Sequence, residues 1–384
     1  MVPTSPLINV ADYGAKGDAA ADDTAAIAEA IAAAGPASAP TGNTVFLPAG
    51  RYRVTSGLSV PPGVTLLGCG WNTPGAQVNT FAGSWIFTPA GAGFSPVTIA
   101  GSGGSVRNIA FNVPDQSTSG APAAAQPMLH ITGNNSMVED ILLYNPYGGI
   151  YIDGGAQAVV RRIFGQPVQY GIAVDRSQDT NYIDTVHFWP YWQPGSLPPA
   201  AYQLANGTAI ALLRCDNPHI SNVFAYNYNK GISLGSSAAG IPHKVHLFNA
   251  DFDGCVTGVH IAAPGRAGLA ATMQMANVSI QSPSGPGVPA GHGVWVEQVS
   301  AYAMVQAVNL RVSNSGQNAV RIDADNVTFF GENVSLENWR GTEGFRIASG
   351  SSFAHLGVGF NATSGAPGGV PFAPGKQFRL AKLA

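Results

Sequence analysis

The chain has 384 residues, of which only 10% are charged, against about 25% in a typical soluble domain. Its net charge of −3 excludes the basic surface of a nucleic-acid binder, so we expect no binding to nucleic acid. No apolar run reaches the ~18 residues of a membrane helix, so we expect no membrane insertion. The 48 glycines and 28 prolines, with a hydrophobic content of 45%, indicate many short strands joined by tight turns.

One helix is predicted, close to the N-terminus. The stretch "NVADYGAKGDAAADDTAAIAEAI" (9–31) has the pattern of a strand, a glycine turn, an acidic cluster and an alanine-rich helix. Asp22 and Asp23 supply N-cap chemistry, and Ile27 and Ile31 fall on one helical face. The first residues lack the basic and apolar regions of a signal peptide, so we expect none.

The rest of the chain carries a repeat in which a glycine leads a short alternation of apolar residues. Successive copies start 22 to 36 positions apart, a spacing typical of a solenoid whose loops vary in length. The copies are "GIYID" at 149, "GIAVD" at 171, "GTAIA" at 207, "GISLG" at 231, "GVHIA" at 258, "GVWVE" at 293, "AVRID" at 319 and "GFRIA" at 344.

A second recurrent phrase places asparagine directly before an aliphatic residue. Asparagine tolerates the left-handed backbone conformation and bonds to nearby backbone, so it suits a tight corner between two strands. Stacked corners predict an asparagine ladder at Asn108, Asn222, Asn277, Asn309 and Asn333, with Asp140 in one further unit.

These patterns together predict an all-β fold, a right-handed parallel β-helix with three-stranded coils. We expect residues 1–40 to form a strand and a capping α-helix, and residues 41–384 to form the β-helix, in one continuous domain. We interpret Cys69, Cys215 and Cys255 as buried hydrophobic residues, and we expect no cofactor and no metal.

The opening segment is similar to the first motif of the pectate-lyase-like superfamily, which includes polygalacturonase-related proteins and bacteriophage tailspike depolymerases. The segment "HFWPYW" (187–192), preceded by "DTNYID", resembles the tailspike branch more than plant pectinases. The resemblance implies carbohydrate chemistry. For the tailspike branch it also implies a homotrimer acting outside the cell, on a virion tail or after secretion.

Aromatic residues gather on the strand after the asparagine corner and in the turn beyond it. The repeat alignment puts Tyr226 and Asp251 at equivalent outward positions, with Asp253 in the turn. Sugar rings stack on exposed aromatic side chains, so we predict a strip that binds a linear polysaccharide. Burial under the following loop, or a subunit contact, is the alternative. The predicted strip contains His187, Trp189, Tyr191, Trp192, Tyr226 and Tyr228.

The glycine-led strands form a second outward face, which carries Trp295, Glu297 and Arg321 and adjoins His292. Gly-His-Gly around His292 and the later Arg321-Ile resemble a polygalacturonase pattern, in which a lysine stands where this chain has Asp323. We predict that His292 belongs to the catalytic set and that, together with Arg321, it positions the substrate. The missing lysine argues against recognition of a uronic acid. We expect Trp295 to contact the substrate as well.

Glycoside hydrolysis needs two carboxyl groups beside the scissile bond. Asp251 and Asp253 lie one residue apart and point the same way, so we predict them as acid and base, with Glu297 as a partner for either. A solvated turn is the alternative for the aspartate pair. A lyase would instead take the proton α to a uronate carboxyl, roles for which His187, Tyr226 and Arg311 are candidates.

The function predicted from the sequence is that of a depolymerase which binds and cleaves a bacterial surface polysaccharide, such as capsule, exopolysaccharide or O-antigen. The predicted reaction is glycoside hydrolysis. Two alternatives stay open: a polysaccharide lyase that works by β-elimination on a uronate polymer, and a non-catalytic carbohydrate-binding β-helix.

Overall fold

The computed structural model describes residues 7–35, 44–74, 80–192, 198–263, 270–283, 289–299, 302–364, 369–372 and 378–380. Two α-helices, Thr24–Ala33 (α1) and Pro198–Asn206 (α2), and a 3-10 helix at Val10–Tyr13 occur in these ranges, and none of them is long and apolar enough to cross a membrane. The strands, numbered β1 to β29 in chain order, are Ile8–Asn9, Asp18–Asp22, Thr44–Leu47, Gly50–Arg53, Leu58–Val60, Thr65–Gly68, Ser84–Phe87, Val97–Ile99, Ser105–Asn112, Pro127–Ile131, Met137–Leu143, Gly148–Asp153, Val159–Gly165, Tyr170–Asp175, Tyr182–Phe188, Thr208–Leu212, His219–Tyr226, Lys230–Leu234, Val245–Asp253, Thr257–Ala263, Ala270–Gln281, Val294–Val299, Tyr302–Ser313, Val320–Ile322, Val327–Glu337, Phe345–Ile347, Phe353–Leu356, Asn361–Thr363 and Phe378–Leu380.

The chain divides into two compact units, Met1–Ala173 with Thr180–Tyr202, and Val174–Asp179 with Gln203–Ala384. Within each unit the strands pair in parallel with their counterparts on the next coil, which confirms the predicted right-handed parallel β-helix. The ladders of the first unit run β1–β3–β6–β9–β11–β13–β15 and β5–β8–β10–β12. Those of the second unit run β17–β19–β21–β23–β25–β27–β29 and β16–β18–β20–β22–β24–β26.

The glycine repeat marks real strands, and the reason for glycine is steric. A Cβ on Gly258 would lie 2.5 Å from Cγ2 of Ile280, and one on Gly293 would lie 2.2 Å from Cγ1 of Val312. Both aliphatic side chains belong to the long strand that follows in the chain. At these two positions glycine is required because the inward aliphatic side chain packs directly over the start of the strand, and at Gly231 the ring of Phe252 takes that place.

The asparagine corners are also confirmed, and they lie inside long strands. In β19, β21, β23 and β25 the corner residues Asn249, Asn277, Asn309 and Asn333 have φ between 50° and 56°. Each amide donates to its neighbour on the preceding coil, starting at Asn222, over distances of 2.8 to 3.3 Å. The alternation of buried and exposed residues breaks at this point, as in β19, where Phe248 and Asn249 are both exposed. The strand therefore turns there onto a third side of the coil.

The predicted repeat alignment does not include Asn249 as a corner, and the residues that follow Asn249 are therefore aligned with the wrong positions of the neighbouring coils. Asp251 pairs with Phe224 and Ser279, whereas Asp253 pairs with Tyr226. The prediction that Asp251 lies beside Tyr226 is therefore wrong by two residues. In the first unit Asn108 and Asp140 form corners as predicted, and Arg162 and Thr185 adopt the same left-handed conformation without the asparagine signal.

Helix α1 packs against β1 and β5 of the first coil, as the cap prediction requires, with Ile27 and Ile31 buried. Asp22 accepts from the backbone N–H of Thr24 at 3.1 Å. Asp23 lies at the N-cap position but makes no capping bond. Its buried carboxylate instead accepts hydrogen bonds from the backbone N–H groups of residues 16 and 17, at 2.6 and 3.1 Å. These bonds stabilise the glycine turn that contains the two residues.

The cores of both units are mainly aliphatic and aromatic. Cys215 and Cys255 are buried in them, as predicted. The prediction is wrong for Cys69, which follows the end of β6 and is exposed; its Sγ accepts from Oγ of Ser84 at 3.2 Å.

The ladder can be tested at Asn277, which both donates to and accepts from a neighbouring corner. We expect Asn277→Ala to lower the free energy of unfolding by about 2 kcal/mol, since it forces a Cβ-bearing residue without local hydrogen bonds to keep a positive φ. Asn277→Gly should cost about 1 kcal/mol less, because glycine adopts this conformation freely. Chemical denaturation measures both. Asn361→Ala, an exposed strand position without positive φ, is the control, and equal losses in all three variants would contradict the argument.

Candidate functional site

The glycine-led strands of the second unit bring several predicted site residues together. In the ladder β18–β20–β22–β24 the outward position is occupied by Ser233, His260, Trp295 and Arg321 in successive coils. Polar side chains from the same strands and from the turn before β22 surround the indole. We call this group the Trp295 cluster, and it contains Lys230, His260, His292, Trp295, Glu297, Arg321 and Asp323.

Two carboxylates of the cluster lie on neighbouring coils. Val296 of β22 pairs with Ile322, the last residue of β24, on strands about 4.8 Å apart. Glu297 and Asp323 are the next residues of the two chain segments; the register of β22 against β20 shifts at Glu297, and Asp323 lies just past the end of β24. Oδ2 of Asp323 accepts from Nε1 of Trp295 at 2.9 Å and from Nε of Arg321 at 2.7 Å. The Glu297 side chain is 44% exposed and that of Asp323 22%, so a bound ligand can reach both.

Two buried imidazoles lie against the indole, with ring centroids 5.0 Å (His260) and 5.2 Å (His292) from Trp295. Burial lowers the pKa of His292 to about 4, and the nearby Arg321 guanidinium adds to this effect. Burial and the charge of Lys230 likewise lower the pKa of His260, against the opposing pull of Glu297. Both rings are therefore neutral near pH 7.

The contacts of the imidazoles indicate their tautomers. Nε2 of His260 lies 2.7 Å from Oε2 of Glu297, and its buried Nδ1 has no hydrogen-bond partner among the described residues. A neutral ring in this setting keeps its proton on Nε2 and donates it to the carboxylate. Nδ1 of His292 accepts from the backbone N–H of Asn318 at 3.3 Å, which leaves the proton of His292 on Nε2.

Lys230 lies at the start of β18, one coil before His260. Burial lowers the pKa of its ammonium, while attraction to Glu297 acts in the opposite direction. A lysine that is more easily deprotonated than usual, beside a carboxylate and a neutral imidazole, is a group suited to proton transfer.

The aspartate pair lies on a different side of the coil from Glu297. Asp251 and Asp253 belong to β19, in the ladder that follows the asparagine corner, whereas Glu297 belongs to the glycine-led ladder. The predicted catalytic set is therefore split in two. Burial and the neighbouring Asp253 raise the pKa of Asp251, while Arg311 and Ser279 oppose the rise. Arg311 itself is held by Glu337 in a two-pronged ion pair, with its shorter contact at 2.8 Å.

In the first unit the predicted aromatic residues form a group around His187. Tyr191 Oη lies 2.8 Å from Nδ1 of His187, and the Trp189 ring is 6.5 Å from the imidazole. Tyr191 and Trp192 pack against a buried cluster that includes Trp85, whereas Trp189 is 41% exposed. Of this group Trp189 offers the most open surface for stacking.

The other two members of the predicted strip belong to the second unit and differ in burial. Tyr226 is half-buried, beside Asp253 in the ladder. Tyr228 is 0% exposed, and its burial raises the pKa of the phenol. The prediction is wrong for Tyr228, because a ring enclosed by the core has no face open to a sugar. The continuity of the strip from Trp192 to Tyr226 stays a prediction.

Sequence reasoning did not select Lys230, His260 or Asp323 as site residues. The signal for two of them is the repeat itself: "GVHIA" and "GVWVE" put His260 and Trp295 at the same place, and "AVRID" puts Asp323 beside Glu297. Lys230 carries no such signal, because its contribution depends on how its side chain packs. Among the described residues no three His, Cys, Asp or Glu side chains converge as a metal-binding group.

The buried His292 makes stability depend on pH. Its pKa is about 4 in the folded chain against an ordinary 6.5, so between these values the unfolded chain binds a proton that the folded chain does not. We expect the free energy of unfolding to fall by roughly 1–3 kcal/mol as the pH is lowered through this window. His292→Asn, which keeps an acceptor near the Nδ1 position, should flatten the profile. Denaturant unfolding at a series of pH values measures it, and an unchanged slope in the variant would contradict the assignment.

Comparison with known proteins supports the fold. Residues 7–96 match the family model described as rhamnogalacturonase A/epimerase, pectate lyase-like. Over 69 residues the chain is 49% identical to mannuronan C5-epimerase AlgE3 of Azotobacter vinelandii, a match that covers 16% of this chain and only 4% of the epimerase. The A-module of mannuronan C-5 epimerase AlgE4 from the same organism superposes with a TM-score of 0.63 at 16% identity, covering 97% of this chain and 100% of the module.

A viral structure shares the fold at a greater distance. The enzymatically active domain of bacteriophage CBA120 tailspike protein 2 superposes with a TM-score of 0.50 at 12% identity, covering 92% of this chain and 48% of that domain. Identities this low carry information on architecture alone. Together with the ladders, these likenesses show that the chain has the parallel β-helix fold that its opening motif predicts; the match to the pectate-lyase-like family model covers residues 7–96.

Proposed function

We propose that the chain is a polysaccharide-acting enzyme whose reaction takes place at the Trp295 cluster, by glycoside hydrolysis. The observation that carries the proposal is the pair Glu297 and Asp323, two reachable carboxylates on adjacent coils beside an indole. Retaining glycosidases hold their two carboxyl groups ~5–5.5 Å apart, and side chains on neighbouring strands, whose backbones are about 4.8 Å apart, can reach that separation.

The hydrogen bonds of the cluster suggest a division of roles. Asp323 accepts from a guanidinium and an indole on one oxygen, an arrangement that orients an ionised nucleophile towards the ligand with its other oxygen. Glu297 is bonded to neutral His260 and serves as the acid and then the base. Trp295 supplies an aromatic surface for the sugar ring, and His292 supports that ring from its buried side.

A second candidate reaction is proton abstraction α to a uronate carboxyl, leading to β-elimination or to epimerisation. Lys230 favours it, because its lowered pKa makes it a base at a milder pH than an ordinary lysine. Arg321 is the cation that would neutralise the substrate carboxylate. The short stretch of identity to a mannuronan C5-epimerase also supports this candidate.

Asp251 and Asp253 remain a proposal for the carboxylate pair, supported by their shared outward face and by the raised pKa of Asp251. We rank them second because Glu297 lies on another side of the coil, so no third predicted catalytic group joins them. As the target we keep a bacterial surface polysaccharide, with a homotrimer and an extracellular location, as proposals derived from the resemblance.

The test is incubation of the protein with a panel of capsular, exopolysaccharide, O-antigen and uronate polymers. New reducing ends without ultraviolet absorbance indicate hydrolysis, both signals together indicate β-elimination, and deuterium uptake from heavy water without cleavage indicates epimerisation. We expect reducing ends alone. Glu297→Gln and Asp323→Asn should each lower kcat by about 10²–10⁴, because each removes a group that moves a proton or forms a bond.

Matched variants separate the alternatives. Asp325→Asn changes an exposed aspartate two residues from Asp323. Within the described residues this carboxylate accepts hydrogen bonds from Ser349 and Ser351, so the variant should leave kcat unchanged. Loss of activity in Asp251→Asn or Asp253→Asn, with Glu297→Gln active, would move the reaction to the aspartate pair. Loss of deuterium uptake in Lys230→Gln would favour proton abstraction. If no polymer gives reducing ends, ultraviolet absorbance or deuterium uptake, the non-catalytic carbohydrate-binding alternative is favoured.

A further inference from the structure

A groove of about 660 Å³ lies on a different ladder of the second unit from the Trp295 cluster. It follows the halves of the long strands before the asparagine corner, across β19, β21, β23, β25, β27 and β29. Six strands at about 4.8 Å spacing give it a length of roughly 24 Å. The groove is therefore elongated and runs along the direction in which the coils stack.

The wall of the groove is a row of planar side chains that repeats once per coil. In register, the row within the groove reads Gln274, Gln306, Phe330, His355 and Arg379, and His246 continues it on the preceding coil, outside the groove. The Phe330 and His355 rings are stacked with centroids 5.0 Å apart, and Nε2 of Gln274 donates to Oε1 of Gln306 at 2.7 Å. The row thus presents two neighbouring amides, which can exchange hydrogen bonds with hydroxyl groups, followed by two neighbouring ring faces.

The groove also exposes apolar surface, on this row and on the outward positions two residues further along the strands. Phe248, Val308 and Phe330 are 36%, 45% and 37% exposed, and all three line it. A run of exposed aromatic and aliphatic side chains is costly in water unless something covers it. Charge is confined to one end, where Glu332 lies two coils before Arg379. Within the described ranges, Arg379 has no ion-pair partner.

We propose that this groove is an accessory binding site for an extended polysaccharide chain that carries carboxylates. A surface that repeats every coil suits a ligand that repeats, and the coil spacing is close to the length of one sugar unit in an extended chain. Ring faces suit the C–H faces of sugars, and the amides suit hydroxyl groups. The Arg379 guanidinium, which makes no ion pair with another described residue, suits a carboxylate. A volume near 660 Å³ lies within the range of small-molecule sites.

The inference rests on the proposed function for one point only, namely that the ligand is a polysaccharide. The accessory site would hold the polymer while the Trp295 cluster acts on it, so it should affect long chains and not short ones. Binding and cleavage therefore have to be measured separately.

Equilibrium binding to mannuronan and to the acidic capsular polymers of the panel is measured with Glu297→Gln, which removes cleavage. Adding Phe330→Ala should weaken binding about tenfold, the loss of one stacking contact. Phe353→Ala is the matched control: its ring is 38% exposed, against 37% for Phe330, but does not line the groove. Gln306→Ala, which leaves the core intact, should also weaken binding. Arg379→Gln should weaken binding to acidic polymers and leave a neutral dextran unaffected.

With active protein, Phe330→Ala should raise KM for the polymer about tenfold and leave kcat on short oligosaccharides unchanged. If no polymer is cleaved, the proposed function fails, while the binding series still decides the groove. Equal affinity of the Phe330 and Phe353 variants, or no binding to any acidic polymer, overturns the accessory site. So does a drop in mass by light scattering for Phe330→Ala with glycan binding unchanged, since the groove would then cover a second copy of the chain.

Discussion

The structure depends on the register of parallel strands between successive coils. Each coil satisfies its backbone hydrogen bonds only through its neighbours, so a residue must lie opposite the same position of the next coil. The corner asparagines reinforce the same register, because the side-chain amide of each one donates a hydrogen bond to the asparagine of the preceding coil. Any side chain that recurs at one position of the repeat therefore becomes part of a row.

The rows produce the chemical features of the second unit. On the glycine-led ladder, register puts a histidine, a tryptophan and an arginine side by side, and the next outward position adds two carboxylates. Residues far apart in the chain thus form a compact group in which charges nearly balance. Burial against Trp295 keeps the imidazoles neutral, so they act as hydrogen-bonding groups and not as cations.

Most of the architecture was predictable from short patterns, because the constraints behind them are local. Glycine recurs where a Cβ would strike a neighbouring side chain, and asparagine recurs where the backbone turns left-handed. Corners formed by Arg162 and Thr185 were not predictable, since neither residue type signals a positive φ. The corner at Asn249 was missed because an alanine, and not a larger aliphatic residue, follows it. Because of this omission, the predicted register of Asp251 is wrong by two positions, and so are its predicted neighbours on the adjacent coils.

The sequence by itself determined the fold: the period of the repeat, the glycine-led strands, most of the corners and the capping helix. These features follow from steric rules that act within a few residues. Only the tertiary structure decided which side chains meet. It enclosed Tyr228, separated Glu297 from the aspartate pair, and brought Lys230 and His260 to Glu297. These outcomes depend on the lengths of the loops between coils and on which side of a corner a residue falls, quantities that no short pattern contains.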